Sequence, residues 1–233
     1  MSDFIGFPPR GLAFLRGLSE DNTKDYFSAH RGDYDQGVSE PAQALVKALG
    51  RELQLRLSGN IRAEPKVGKS LFRIHRDLRF SKDKTPYHPW ADFVFWEGGE
   101  DARTCPGFFL RIAADHVALG TGVFQFPPEA LERFRRAIAD EGQGTLLTTI
   151  LDTLQTQHPS VELSPPSRAR VPAPFPGDHP RSALLRLERF HASTQEGVPE
   201  EVYGRDFVSW CVDRYHKFLP LHRWLVHNLG TEG

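Results

Sequence analysis

Cysteine is scarce in this sequence. The only two, Cys105 and Cys211, lie far apart and in no Cys-x-x-Cys spacing. This excludes a zinc ribbon and a disulfide framework, both of which need several closely spaced cysteines. It also favours a reducing compartment.

Long apolar runs are absent as well. No run approaches the roughly 20 residues that a membrane-spanning helix needs. Residues 1–10 show no basic region followed by an apolar core, the pattern typical of a signal peptide. We therefore expect a soluble, cytoplasmic protein with no membrane partner.

The sequence also lacks the common motifs of catalysis. Gly68-Lys69-Ser70 suggests a phosphate-binding loop, but that motif needs a glycine five positions earlier, where this chain has Ala63. No serine lies in a Gly-x-Ser-x-Gly elbow. His75 and Asp77 stand two residues apart on one predicted strand face, which suits metal coordination or a base with its orienter, but no metal-binding spacing completes the pair. Asp178-His179 suits general acid–base chemistry, although Asp-His-Pro is also ordinary turn composition. We predict no metal site, and catalytic residues, cofactor and oligomeric state stay open.

The net charge is close to zero, at −1 for 233 residues. This argues against a protein that coats nucleic acid with its whole surface, because such proteins are basic overall. The positive charge is nevertheless concentrated. Between Lys66 and Lys84 there are seven Lys or Arg residues and two Asp residues. Any anion-binding site should therefore be local, and this segment is where we expect it.

The same segment carries an alternating pattern. From Leu71 to Phe80 the even positions are mostly apolar and the odd positions from 73 are ionisable, which predicts a strand with one buried face. Arg76 is the exception, because it falls on the apolar face. It must reach a carboxylate there, or the strand must bulge. Residues 81–86 predict a turn.

Residues 76–87, Arg-Asp-Leu-Arg-Phe-Ser-Lys-Asp-Lys-Thr-Pro-Tyr, resemble the signature of a bacterial and fungal family known only as domain of unknown function 2461. The resemblance continues at Asn22–Phe27, at Gly107–Leu110 with Gly120–Phe124, and at Arg170–Pro172 with Asp178–Pro180, so it spans nearly the whole chain. His75 and His88-Pro89-Trp90 depart from the pattern. The resemblance implies the extent of the domain and little about its chemistry.

Flanking segments predict helices. A short helix from Pro9 to Leu18 is followed by one that Asn22 caps, and Gly37 and Pro41 divide the latter from an amphipathic helix over Ala42–Leu57. Later helices begin at Pro127 and cover residues 146–154, and a long C-terminal helix is kinked near Pro220.

Strands are predicted at 61–67, 71–80 and 91–96, in a hairpin of 107–113 with 116–122, and at an edge over 186–191. Consecutive strands between helices favour one α+β domain over 1–233, with a largely antiparallel or mixed sheet. Seven prolines between Pro159 and Pro180 exclude regular structure there. We expect an ordered, proline-rich loop over 158–180 rather than a linker.

The leading functional hypothesis is a pocket for a small anionic, phosphate-bearing ligand, with or without hydrolase or transferase chemistry. An alternative is a nucleic-acid or protein interaction module that uses an exposed basic stripe. A further alternative is a purely structural ion-pair network. The candidate ligand-binding residues, with Tyr87 closing the site and the two aspartates orienting the cations, are Arg73, Arg76, Asp77, Arg79, Lys82, Asp83, Lys84 and Tyr87.

Overall fold

The structure, a computed structural model, describes residues 4–79 and 81–230. Helices flank a five-stranded antiparallel sheet, so the predicted α+β class is confirmed. No helix in the described part of the chain is long and apolar enough to span a membrane.

The helices of the first half are α1 (Pro9–Glu20), α2 (Lys24–Ala29), α3 (Arg31–Tyr34) and α4 (Glu40–Arg56), with a π-helical turn at Asp35–Ser39. Those of the second half are α5 (Pro128–Ala139), α6 (Glu141–Gln157), α7 (Ser182–Leu185), α8 (Phe207–Tyr215) and α9 (Leu219–Leu229). Short 3₁₀ turns cover Glu200–Tyr203 and His216–Phe218. The strands are β1 (Trp90–Trp96), β2 (Gly107–Ala113), β3 (His116–Val123), β4 (Glu162–Leu163) and β5 (Phe190–Gly197).

Strand order in the sheet is β1-β2-β3-β5-β4. The predicted hairpin is confirmed as β2 and β3, joined at residues 114 and 115. The edge strand predicted at 186–191 is wrong both in its residue bounds and in its location in the sheet. The strand begins at Phe190 and lies inside the sheet, because β4 pairs beside it with Glu162 opposite Ser193. The proline-rich segment supplies that edge, which sequence patterning around residue 190 could not reveal.

The chain divides into two compact units. The first contains residues 1–95, 109–119 and 195–214, and the second contains residues 96–108, 120–194 and 215–233. A single domain over 1–233 stays a prediction.

In the first unit, the start of α1 approaches the π-helical turn closely. A Cβ added to Gly11 would stand 2.0 Å from the carbonyl oxygen of Gly37. The helix break predicted at Gly37 and Pro41 is wrong, because helical structure continues from the π-helical turn into α4. Asn22 is not the cap of α2 either, because Thr23 accepts the hydrogen bond from the Tyr26 amide.

Residues 61–89 contain no regular strand in their described part, so the strands predicted at 61–67 and 71–80 are wrong. Isolated bridges join Leu71 to Phe93 and His75 to Tyr87. The segment changes partner between these two bridges, and Pro86 and Pro89 remove amide donors that a continuous ladder would need. The alternation in exposure is nevertheless present from residue 73 to residue 79, with the odd-numbered side chains exposed. Phe80 lies outside the described residues.

The second unit is built around Phe134 of α5. Its ring lies 4.8 Å from Phe126, 5.5 Å from Phe190 and 6.1 Å from Trp224 between centroids. The proline-rich segment has no helix or strand beyond β4 in its described residues. Val161 is buried there, and the amides of residues 167 and 168 donate to the Arg186 carbonyl. The C-terminal helix is interrupted, as predicted, and Pro220 lies in the first turn of α9.

Gly11→Ala should lower the free energy of unfolding by about 1–3 kcal/mol or more, because the new methyl group meets backbone atoms that cannot rotate away. Gly32→Ala in α3 is the matched control. Nothing lies within 4 Å of its added Cβ, so helix propensity predicts a gain of about 0.5–1 kcal/mol. Urea unfolding of both variants measures the difference. Equal effects would contradict the close approach.

Candidate functional site

The segment of residues 66–84, called the basic loop here, is held in place by its neighbours rather than by a ladder. The amide of Phe72 donates to the Asp92 carbonyl, and the amide of Val94 donates to the Ser70 carbonyl. Further along, the Arg76 amide donates to the Pro86 carbonyl and the His88 amide to the Ile74 carbonyl. The loop therefore contacts β1 first and residues 86–88 afterwards.

Asn22 fixes the end of this structure. Its side-chain amide donates to the Tyr87 carbonyl at 3.0 Å, and its side-chain oxygen accepts from the Tyr87 amide at 3.0 Å. Both backbone polar groups of one residue are thus satisfied by one side chain 65 positions earlier. The asparagine that the sequence pattern suggested as a helix cap is a tertiary clamp.

Tyr87 belongs to the hydrophobic core. It is 5 % exposed, and its ring stacks on Phe27 with centroids 4.4 Å apart and an interplanar angle of 11°. The His75 ring lies in a T-shaped arrangement with the Tyr87 ring, with centroids 5.0 Å apart. The Tyr87 ring is therefore buried in the hydrophobic core, and its part in closing a ligand site stays a prediction.

Arg76, which falls on the apolar side of the segment, reaches a carboxylate there. Its side chain is 22 % exposed, and its guanidinium donates to the Asp83 carboxylate and to the Thr85 hydroxyl. Asp83 in turn accepts from the Thr85 amide at 2.9 Å. These hydrogen bonds lower the pKa of Asp83 to about 2, and the bond from the Thr85 amide has the largest effect. The three residues form a closed turn.

Arg79 and Asp77 form a second pair, in which the guanidinium donates to both carboxylate oxygens. The side-chain hydrogen bonds from Arg79 lower the pKa of Asp77 to about 2. Both side chains are exposed, at 78 % for Arg79 and 59 % for Asp77. A pair so open to water contributes little to stability.

The remaining candidate cations point outward. Arg73, Lys82 and Lys84 are exposed, and the Lys84 ammonium donates to the Leu78 carbonyl at 3.0 Å. Within residues 4–79 and 81–230, no carboxylate forms an ion pair with Arg73 or Lys82. The two aspartates therefore bind Arg76 and Arg79 and leave the outer charges without acidic partners in that part of the chain.

A small cavity lies beside the loop, but the candidate cations do not line it. Its volume is about 40 Å³, room for little more than water, and its walls include Phe72, Ile74, Trp90 and Asp92. The Asp92 carboxylate accepts from Arg111 at 2.7 and 2.8 Å and from the Trp90 indole at 2.9 Å. The Arg111 guanidinium lies over the Trp90 ring at 4.2 Å. Sequence reasoning missed this cluster, because Trp90 and Asp92 lie on β1 whereas Arg111 comes from β2.

The side chains of the pair His75 and Asp77 have different partners. His75 contacts Tyr87 and Phe27, while Asp77 binds Arg79. His179 accepts from the Arg181 amide at 3.0 Å. No group of three or more potential metal ligands occurs among the described residues.

Comparison with known families agrees with this framework. The family described as "Conserved hypothetical protein (DUF2461)" matches residues 10–224. The chain belongs to this family. The match includes Asn22, the basic loop and Tyr87, so the clamp and the turn lie inside the family's domain. No curated protein matches the chain.

Asn22→Ala should lower the free energy of unfolding by about 2–3 kcal/mol, since it removes two part-buried hydrogen bonds and leaves the Tyr87 backbone unsatisfied. Asn60→Ala is the control at an exposed position and should change stability by less than about 0.5 kcal/mol. Chemical denaturation gives both values. An Asn22→Ala variant with the same free energy of unfolding as the wild type would refute the clamp.

Arg76→Gln should raise the pKa of Asp83 above about 2, although the Thr85 amide keeps it below its ordinary value of 3.8. Because folding lowers this pKa, the stabilising contribution is complete above about 3.8 and is lost as the pH falls through about 2. Carboxyl carbon shifts followed by NMR against pH measure the midpoint. Arg103→Gln, which removes the partner of Asp101, should leave it unchanged.

Proposed function

We propose that the protein binds the phosphate backbone of a nucleic acid through the exposed outer face of the basic loop. The cations of this face, called the outer cations, are Arg73, Lys82 and Lys84. The observation that carries the proposal is their exposure on a loop whose backbone is fixed from beneath.

Fixation matters because a pre-organised surface loses less conformational entropy on binding. Arg76, Asp83 and Thr85 close the turn between the outer cations, and Asn22 fixes the residues that follow it. The motif therefore divides into residues that hold the loop and residues that present charge. This division supports a binding role beside the structural one.

The exposed arrangement favours the interaction surface over the pocket for a small ligand. None of the outer cations lines the small cavity beside the loop. Cations that point into water suit a ligand that carries many phosphates along a surface, because each contact releases condensed counterions. Guanidinium groups also pair well with phosphate oxygens.

The near-zero net charge limits the expected affinity for nucleic acid. The protein as a whole does not attract polyanions, so binding depends on this one loop. A handful of phosphate contacts without base readout predicts weak, sequence-independent binding that falls steeply with salt.

Fluorescence anisotropy with a labelled single-stranded and a duplex oligonucleotide over a range of salt concentrations tests the proposal. The triple variant Arg73→Gln, Lys82→Gln, Lys84→Gln should bind more weakly at low salt, and its salt slope should be smaller by about 2–3. The control variant Lys24→Gln, Lys47→Gln, Arg223→Gln removes three exposed cations elsewhere and should bind like the wild type.

Equal losses in both triple variants would contradict the proposal, because they would show only a general charge effect. Saturable binding of pyrophosphate that is nearly independent of salt would favour the small-ligand pocket instead. Loss of folding in the loop variant, seen by circular dichroism, would favour the structural alternative.

A further inference from the structure

His88 stands where the basic loop meets the residues that follow its turn. Two backbone hydrogen bonds join the two stretches: the Arg76 amide donates to the Pro86 carbonyl at 2.9 Å, and the His88 amide donates to the Ile74 carbonyl at 2.8 Å. We call this pair of bonds the loop seam. One of its two bonds is made by the backbone of His88 itself, so the position of this residue and the attachment of the loop are linked.

The side of the loop seam that contains Tyr87 is fixed independently of the loop. The Asn22 side chain bonds to both backbone polar groups of Tyr87, and the Tyr87 ring stacks on Phe27 of α2. Residues 86–88 are therefore held by the helical part of the first unit. The basic loop is the partner that can separate when the loop seam weakens.

The His88 side chain lies half-buried, with one ring nitrogen in an unfavourable position for a proton. Its Nδ1 is buried and has no hydrogen-bond partner among the described residues, and its ring packs on Trp90 with centroids 5.1 Å apart. A neutral imidazole carries a hydrogen on one nitrogen, whereas the imidazolium carries one on each. The neutral ring can keep its hydrogen on Nε2. The cation must bury an N–H that nothing accepts, which is costly.

The charged groups that act on the ring are Asp92 of β1, Arg76 of the basic loop and Arg111 of β2. The Asp92 carboxylate is already engaged, because it accepts from Arg111 at 2.7 and 2.8 Å and from the Trp90 indole at 2.9 Å. The two guanidinium groups repel a further cation. Burial lowers the pKa of His88, Asp92 opposes this shift, and both arginines add to it.

The acidic residues of the loop do not respond to mild acid. The pKa values of Asp77 and Asp83 are both about 2, so both carboxylates stay charged well below the range in which histidine titrates. His75 also lies in the loop, but it is exposed, so water can solvate its charge. His88 is the histidine of this region whose charge would be buried.

We propose that His88 makes the attachment of the basic loop sensitive to acid: the neutral ring keeps the loop seam closed, and the protonated ring leaves Trp90 for water and opens it. Because folding lowers the pKa of this histidine from its ordinary value of 6.5, its stabilising contribution is complete above pH 6.5. The contribution is lost as the pH falls from 6.5 towards the lower pKa of the folded protein. A released loop no longer presents the outer cations in fixed positions.

Hydrogen–deuterium exchange measures the loop seam without any nucleic acid, so the outcome does not depend on the proposed function. The protection of the Arg76 amide, corrected for the intrinsic exchange rate at each pH, should fall several-fold between about pH 7.5 and about pH 5.5. The Val94 amide, which donates to the Ser70 carbonyl where the loop contacts β1, should keep its protection. Ring-proton NMR should place the titration midpoint of His88 below 6.5.

His88→Phe keeps an aromatic ring against Trp90 and cannot be protonated. Since Nδ1 of His88 has no partner among the described residues, the phenyl ring loses no hydrogen bond there, and Arg76 protection should be equal at the two pH values. His75→Gln is the matched control, because it removes a neighbouring, exposed histidine and should keep the wild-type fall in protection. His88→Gln, which is also uncharged at both pH values, replaces the phenyl variant if that one does not fold.

Four results would overturn the proposal. A His88 titration midpoint at or above 6.5 would show that the site does not disfavour the cation. An equal fall of Arg76 protection in His88→Phe and in the wild type would assign the acid response to another group. A fall at Val94 as large as that at Arg76 would show general unfolding by acid. Unchanged protection of Arg76 in the wild type would show that the protonated ring leaves the loop seam closed.

Discussion

The pair of hydrogen bonds between the Asn22 side chain and the Tyr87 backbone is the constraint on which the basic loop depends. A loop with so many like charges repels itself and would not hold one conformation unaided. Its far end is fixed because Tyr87 is buried against Phe27 and its backbone groups are satisfied by Asn22. The loop can therefore expose its cations without losing its shape.

Within the loop, charge has two separate uses. Arg76 lies half-buried and bonds to Asp83 and Thr85, so its charge closes a turn. Arg73 and Lys82 lie outside, where water screens them and where a phosphate could reach them. Charge counting alone treats these residues as equivalent, although only the outer ones are available to a partner.

The second unit shows how a buried polar contact can escape detection in a sequence. Glu97 follows a strand without any motif around it. Its carboxyl nevertheless lies 3.0 Å from Nε2 of His222, which is 1 % exposed. The two residues stand 125 positions apart, so they meet only because the chain returns to the same region.

The sequence by itself determined the α+β class, the hairpin at 107–123, most of the helices and the place of the concentrated positive charge, because these follow from periodicity, proline positions and local composition. It also required that Arg76 reach a carboxylate or that the segment bulge there. Only the tertiary structure decided that Asn22 is a clamp and not a cap, that Tyr87 is core, and that residues 71–79 form no strand. Each of these depends on a partner far away in the chain, which local propensity cannot encode.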